Sequence, residues 1–167
     1  DDPSAWAVNP PDEAPGRQFS GNGHGSGSFW KPSLGLPDHS NGQGFVDWQV
    51  AHQDEIFRRI GPERAHQVSG HNTIFPNFSF LPLNSTMRVW HPRGPGQMEV
   101  WAWTVVPTDA PQEVKDEIRR GTQRTFSPAG SFETDDGENW TEIQQVLKGF
   151  KAQQNHFNMQ MGLGREE

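Results

Sequence analysis

Residues 132–140 read FETDDGENW, a run of carboxylates between two aromatic rings. Adjacent carboxylates can bind a cation, move a proton, or start a helix. The spacing separates the two central ones. Asp135 stands three residues before Glu138, the pattern of a capping box at a helix start. Asp136 is followed at helical spacing by Trp140, Ile143 and Leu147, so it shares a face with the apolar stripe of a helix predicted over about 136–149. A carboxylate on that face is costly to bury without a partner. Two readings stay open: a buried Asp bonded to backbone N–H groups or an arginine, or a metal ligand or catalytic carboxylate. Glycoside hydrolysis needs a second positioned carboxylate, and Glu133 and Glu138 read as rim and capping groups.

A carboxylate with two imidazoles is the ligand set of non-haem iron(II) oxygenases. The chain has 7 histidines, at 24, 39, 52, 66, 71, 91 and 156. Only His66 and His71 are close, and on one helix they would diverge by about 140°. HQVSGH also spans a predicted helix-to-strand junction, so the pair reads as two ordinary polar residues. His91, before Pro92, reads as a turn residue.

The elements that must position these groups follow from periodicity. Residues 1–44 are rich in Pro, Gly, Asn and Ser and read as loops with room for a strand or two. DWQVAHQDEIFRRI, 47–60, predicts a helix with Trp48, His52, Ile56 and Ile60 on one face, Asp47 as its cap, and Gly61-Pro62 as its stop. HNTIFPNFSFL, TMRVW and QMEVWAWTVV are β-branched and aromatic and predict three strands, with HPRGPG turning the last two into a hairpin. TDAPQEVKDEIRR starts a second helix, with Asp109 as cap and Val114 and Ile118 inward. Strands followed by helices predict an α+β domain with helices packed on an antiparallel sheet.

Composition narrows the class. The chain has 167 residues, with 11 Phe, 7 Trp, no Cys and a net charge of −7. The acidic balance argues against nonspecific nucleic-acid binding. The missing cysteines exclude disulfides and thiolate chemistry for this chain. No apolar run reaches membrane-spanning length and the first residues lack a signal-peptide pattern. A piece of a larger soluble, cytoplasmic protein is expected.

The blocks NTIFPNFSFL, RVWHPRGP, EVWAWTVVPTDAP, RTFSPAGSFETDDGENW and MGLG, in this order, resemble the catalytic domain of Rieske-type aromatic-ring-hydroxylating dioxygenases. The matching part is the large α subunit, of the biphenyl, benzene or polycyclic-aromatic type. The resemblance is clear from about residue 71 to 164. It implies a helix-grip (START/Bet v 1-like) fold, an antiparallel sheet wrapped around C-terminal helices. Residues 1–167 would form part of one catalytic domain, truncated at both ends, with 1–44 loop-rich and 45–167 holding the sheet and helices.

The resemblance also implies roles. The second Asp before Gly-Glu-Asn-Trp, here Asp136, is the family's carboxylate ligand to mononuclear Fe(II) and the catalytic residue. Phe126 and Phe132 fall at aromatic pocket walls and Thr125 at an adjoining position. Leu81, Asn84 and Ser69 match substrate-contacting positions. The parent enzyme would add O2 to an aromatic hydrocarbon to give a cis-dihydrodiol. Electrons would come from NAD(P)H through a reductase and ferredoxin to a 2Fe–2S Rieske cluster. Small β subunits and neighbouring α subunits, in an α3β3-like assembly, are the implied partners. The chain departs from the family in lacking the two iron-binding histidines and the Rieske domain, both expected upstream. The isolated chain is therefore expected to be inactive and metal-poor. A non-redox helix-grip module for apolar ligands and a structural subunit-contact piece are the rival readings.

Overall fold

A computed structural model describes residues 17–30, 40–157 and 160–164, leaving out the side chains at 17, 68 and 69. Most of the loop-rich segment expected over 1–44 lies outside the described residues, but residues 17–30 form a hairpin. Strands β1 (Arg17–Gly21) and β2 (His24–Trp30) begin a six-stranded antiparallel sheet. It continues through β3 (Gln67–Ile74), β4 (Phe78–Leu81), β5 (Thr86–Gly94) and β6 (Gln97–Thr104), each paired with its sequence neighbour. The hairpin of β5 and β6 turns at Pro95-Gly96, later than the HPRGPG signal begins, because pairing persists to Gly94–Gln97.

Register sorts the two faces. Thr73, Ser79, Arg88 and Ala102 form one row across β3 to β6, and Trp90 opposite Val100 lies on the same face. Phe78, Val89 and Trp101 form a row on the other face, since side chains alternate along each strand. An arginine thus stands in the middle of the face that meets the C-terminal helices.

Among the described residues between β2 and β3 lie three short helices, α1 (Gln43–Ala51), α2 (Gln53–Ile60) and α3 (Pro62–His66). The single helix expected over 47–60 is therefore two, broken at His52. The His52 ring sits 2.8 Å from the Trp48 carbonyl and stacks on the Trp48 ring, so its side chain engages the preceding turn's backbone. Asp47 is not a cap. It lies inside α1 and accepts from Gln43 Nε2 at 2.8 Å. The inward residue is Val46, while Ile60 is exposed. Gly61, at φ 80°, stops α2 as expected, with Pro62 opening α3.

Helix α4 (Gln112–Phe126) buries Val114 and Ile118 as its periodicity predicts. They cluster with Ala110 and pack against Phe45, Trp48 and Val106. Each such side chain contributes about 1.5–3 kcal/mol when fully buried. The helix begins at Pro111, whose carbonyl accepts from Lys115 N–H at 3.1 Å, so Asp109 does not cap it. A Cβ on Gly121 would lie 1.7 Å from the Ser40 carbonyl oxygen, so the bare backbone there lets α4 lie against residues 40–41.

Helix α5 runs Ser131–Leu147, starting well before the expected 136. Gly130 precedes it, and Thr134 N–H donates to the Gly130 carbonyl at 3.0 Å. Asp135 therefore lies within the helix, exposed, and Asp135 and Glu138 form no capping box. The reason is steric. A Cβ at position 130 would come within 2.3 Å of the Thr125 carbonyl oxygen, so the chain turns at this glycine and starts the helix at once. The stripe predicted inward on α5 holds only at its start, because Ile143, Val146 and Leu147 are exposed. The architecture is α+β, an antiparallel sheet with C-terminal helices. Among the described residues no helix is long and apolar enough to cross a membrane.

Candidate functional site

The sharp turn at Gly130 folds the start of α5 back on the end of α4. Phe126 and Phe132 meet edge to face, with ring centroids 5.5 Å apart at 69°, a favoured geometry for an aromatic pair. Arg88, projecting from β5, is 2% exposed. Its guanidinium carbon lies 4.8 Å from the Phe126 ring centroid and 5.8 Å from that of Trp90. The same guanidinium is ion-paired to Glu133 in the first turn of α5. A single side chain from the sheet therefore touches an aromatic wall and the helix that carries Phe132 and Asp136.

Asp136 follows Glu133 by three positions and Trp140 follows Asp136 by four, so all three share a helical face. Trp140 packs edge-on against Trp90, with centroids 5.2 Å apart at 80°. Trp90 Nε1 in turn donates to Ser79 Oγ at 2.8 Å. Beneath them His71, Thr73, Ser79, Trp90, Met98 and Trp140 line a cavity of about 300 Å³, at the small end of ligand-pocket sizes.

The electrostatics tie these groups together. Partial burial lowers the His71 imidazole from its usual range although the residue is exposed overall, the Arg88 charge pushes the same way, and the Asp136 charge opposes both. Burial raises the Glu133 carboxyl, Arg88 draws it down, and the Asp136 charge raises it. Arg88, Glu133, Asp136 and His71 thus form one interacting cluster. Asp136 is half-buried, and among the described residues its carboxylate has neither a hydrogen bond nor an ion pair.

This arrangement fits Asp136 as one hard oxygen donor to a cation such as Fe(II), because the neighbouring arginine is held by Glu133. Among the described residues no three His, Cys, Asp or Glu side chains gather closely enough to hold a metal. The remaining donors of such a site would have to come from elsewhere.

The other sequence candidates are placed unevenly. Leu81 is buried at the end of β4. Asn84 is buried in the turn after it. Its Oδ1 accepts from Ser40 Oγ at 2.7 Å and its carbonyl accepts from Thr122 Oγ1 at 3.3 Å. Thr125 is buried and donates to the Gly121 carbonyl at 2.9 Å. These contacts tie Asn84 to Ser40 and to α4, and Thr125 to its own helix. The Ser69 side chain lies outside the described residues. The backbone of β3 places His71 two positions on.

Three participants were missed or misread in the sequence. Glu133 is not a rim group, since it pairs with a buried arginine. Arg88 gave a signal: a lone charge within TMRVW, in step with Trp90 on one strand face. His71 and His66 part company. His71 faces the Asp136 cluster, whereas His66 is buried and stacks on Trp30 with centroids 5.1 Å apart.

The family model described as ring hydroxylating alpha subunit (catalytic domain) matches residues 3–166. The α subunit of biphenyl 2,3-dioxygenase from Rhodococcus jostii (strain RHA1) is 48% identical over 161 residues, covering 95% of this chain and 35% of that protein. The α subunit of benzene 1,2-dioxygenase from Pseudomonas putida is 44% identical over 155 residues, covering 90% and 34%. A solved structure of a naphthalene 1,2-dioxygenase mutant bound to phenanthrene superposes with a TM-score of 0.71 at 29% identity, covering 87% of this chain and 33% of that one. The chain thus spans about a third of the length of these relatives. Each is a dioxygenase by name, which disfavours the non-redox binding module. With nearly its whole length matched, this chain belongs to the ring-hydroxylating α-subunit family and carries part of its catalytic domain.

Proposed function

We propose that residues 1–167 form part of the catalytic domain of an aromatic-ring-hydroxylating dioxygenase, in which Asp136 is the carboxylate ligand of a mononuclear non-haem Fe(II). Bound iron would supply the activation of O2 that places both oxygen atoms on an aromatic ring as a cis-dihydrodiol. The remaining steps belong to the chain's own residues. Phe126 and Phe132 present an apolar corner that holds a flat hydrocarbon and excludes water from the metal side. Leu81 at the end of β4, Asn84 in the turn after it, Thr125 on α4 and Ser69 on β3 are the further positions proposed to border the substrate. Such walls discriminate by shape, at about 1–3 kcal/mol per methylene-sized difference.

The longer protein would take electrons from NAD(P)H through a reductase and ferredoxin to a 2Fe–2S Rieske cluster. It would assemble with small β subunits and neighbouring α subunits and work in the cytoplasm. Biphenyl, benzene and related hydrocarbons are the substrate class, following the names of the relatives. The observation that carries the reading is the half-buried Asp136, whose carboxylate has no hydrogen bond or ion pair among the described residues, one helical turn from the Glu133 that holds Arg88.

The test is turnover of biphenyl and benzene by the full-length subunit with its electron-transfer partners. Asp136→Ala abolishes cis-dihydrodiol formation, whereas Glu138→Ala, an exposed position on the same helix, retains it. Equal activity in both variants would overturn the assignment.

A further inference from the structure

Two carboxylates, Glu133 and Asp136, share the first turns of α5, yet only Glu133 meets the arginine beneath them. Arg88 enters from β5 and is closed in by Phe126 and Trp90. Its ion pair runs through one terminal nitrogen to Glu133, and its Nε is buried with no hydrogen-bond partner among the described residues. A guanidinium has five N–H donors in a fixed fork. It therefore has capacity for a second carboxylate, and the next acidic group along the helix face is Asp136. Glu133 and Asp136 stand three positions apart on one face of α5, so the guanidinium that meets the first lies about one helical turn from the second.

We infer that Arg88 and Glu133 are positioning residues for the candidate metal site: Glu133 holds the buried guanidinium so that Asp136 stays uncommitted and open to a cation. The inference rests on Asp136 being the iron ligand, as proposed above. Its consequence is asymmetric. Removing the Glu133 charge frees Arg88 to turn to Asp136 and compete with the metal. Removing Arg88 leaves two carboxylates on one face and no competing cation. A pair with a merely structural role would lose metal binding in both cases.

The experiment measures Fe(II) affinity of the metal-free full-length α subunit by competition with a chromophoric chelator, with circular dichroism as the check on folding. Glu133→Gln keeps the shape of the side chain and should weaken iron binding by about tenfold or more, the usual scale for partners of metal ligands. Arg88→Met should bind iron at least as tightly as the unaltered protein. The double variant should return to within about threefold of it, a coupling that independent sites do not show. The two single variants move in opposite directions, so either decides the matter if the other fails to fold. Unchanged affinity in Glu133→Gln, or equal loss in Arg88→Met, would overturn the inference. Asp136→Asn is the control. If it binds iron normally, the ligand assignment itself is wrong and the inference goes with it. If it loses iron while Glu133→Gln does not, only the inference fails.

Discussion

Arg88 on the sheet and Glu133 on α5 are ion-paired across 45 positions of sequence, in a pocket where the arginine is 2% exposed and the glutamate side chain 17%. That contact fastens the start of α5 to the middle of β5. It ties the first turn of α5, which carries Phe132, to a residue remote in sequence.

Breaking this pair from one side is expected to destabilise the full-length subunit. Arg88→Leu leaves a largely buried carboxylate without its counter-charge, a change that costs about 3–5 kcal/mol in comparable buried pairs. Arg88→Leu combined with Glu133→Leu should recover most of that loss. Denaturant unfolding of the two variants gives the comparison. A double variant as unstable as the single one would show that shape, rather than charge pairing, governs the contact.

His71 should report the charge of its neighbours. Its imidazole is pushed below the usual range by burial first and by Arg88 second, with Asp136 pulling the other way. Asp136→Asn should therefore lower the His71 pKa further, and Arg88→Met should raise it. For the sign in stability, a depressed histidine favours folding above its unfolded pKa of about 6.5. That contribution fades as pH falls through 6.5 towards the folded value. NMR titration of the His71 ring protons follows both variants directly.

Glycine at 130 is required by close approach. Gly130→Ala puts a methyl group 2.3 Å from the Thr125 carbonyl oxygen, and the backbone must shift to admit it. A loss of about 1–3 kcal/mol is expected, the scale of overpacking. The edge-to-face packing of Phe126 on Phe132 should loosen with it. Thermal unfolding gives the first quantity and the product distribution on an asymmetric aromatic substrate the second.

Phe132 is 47% exposed, so Phe132→Val should cost under about 1 kcal/mol, well below the large losses of core truncations. Its effect should fall on where the ring is oxygenated. Chromatography of the dihydrodiol isomers separates that outcome from a loss of folded protein.

Much of the fold was legible because local patterns set it. The alternation in TMRVW and QMEVWAWTVV gave the β5–β6 hairpin, and Val114 with Ile118 gave the buried side of α4. The helix starts were not legible. Asp109 and Asp135 have the chemistry of caps, but Pro111 and Gly130 take those places, and the clash that decides Gly130 involves a carbonyl of the preceding helix. The Arg88–Glu133 pair was hidden for a related reason, since spacing along one helix says nothing about what a strand brings beneath it. His66 and His71 read as a pair because they are close in sequence. Folding separates them, sending His66 into the stack with Trp30 and Phe57 and His71 to the Asp136 side. The roles proposed for Asp136, Phe126 and Phe132 rest on family resemblance, whereas helical spacing alone leaves Asp136 open between a structural acid and a ligand.

Iron content of the purified full-length α subunit, compared between Asp136→Ala and Asp135→Ala, tests the carboxylate assignment most directly. Asp135 is exposed within α5, so Asp135→Ala should keep its iron and its stability to within about 0.5 kcal/mol, while Asp136→Ala should lose the mononuclear iron. Retention of that iron by Asp136→Ala, or its loss from Asp135→Ala alone, would contradict the assignment.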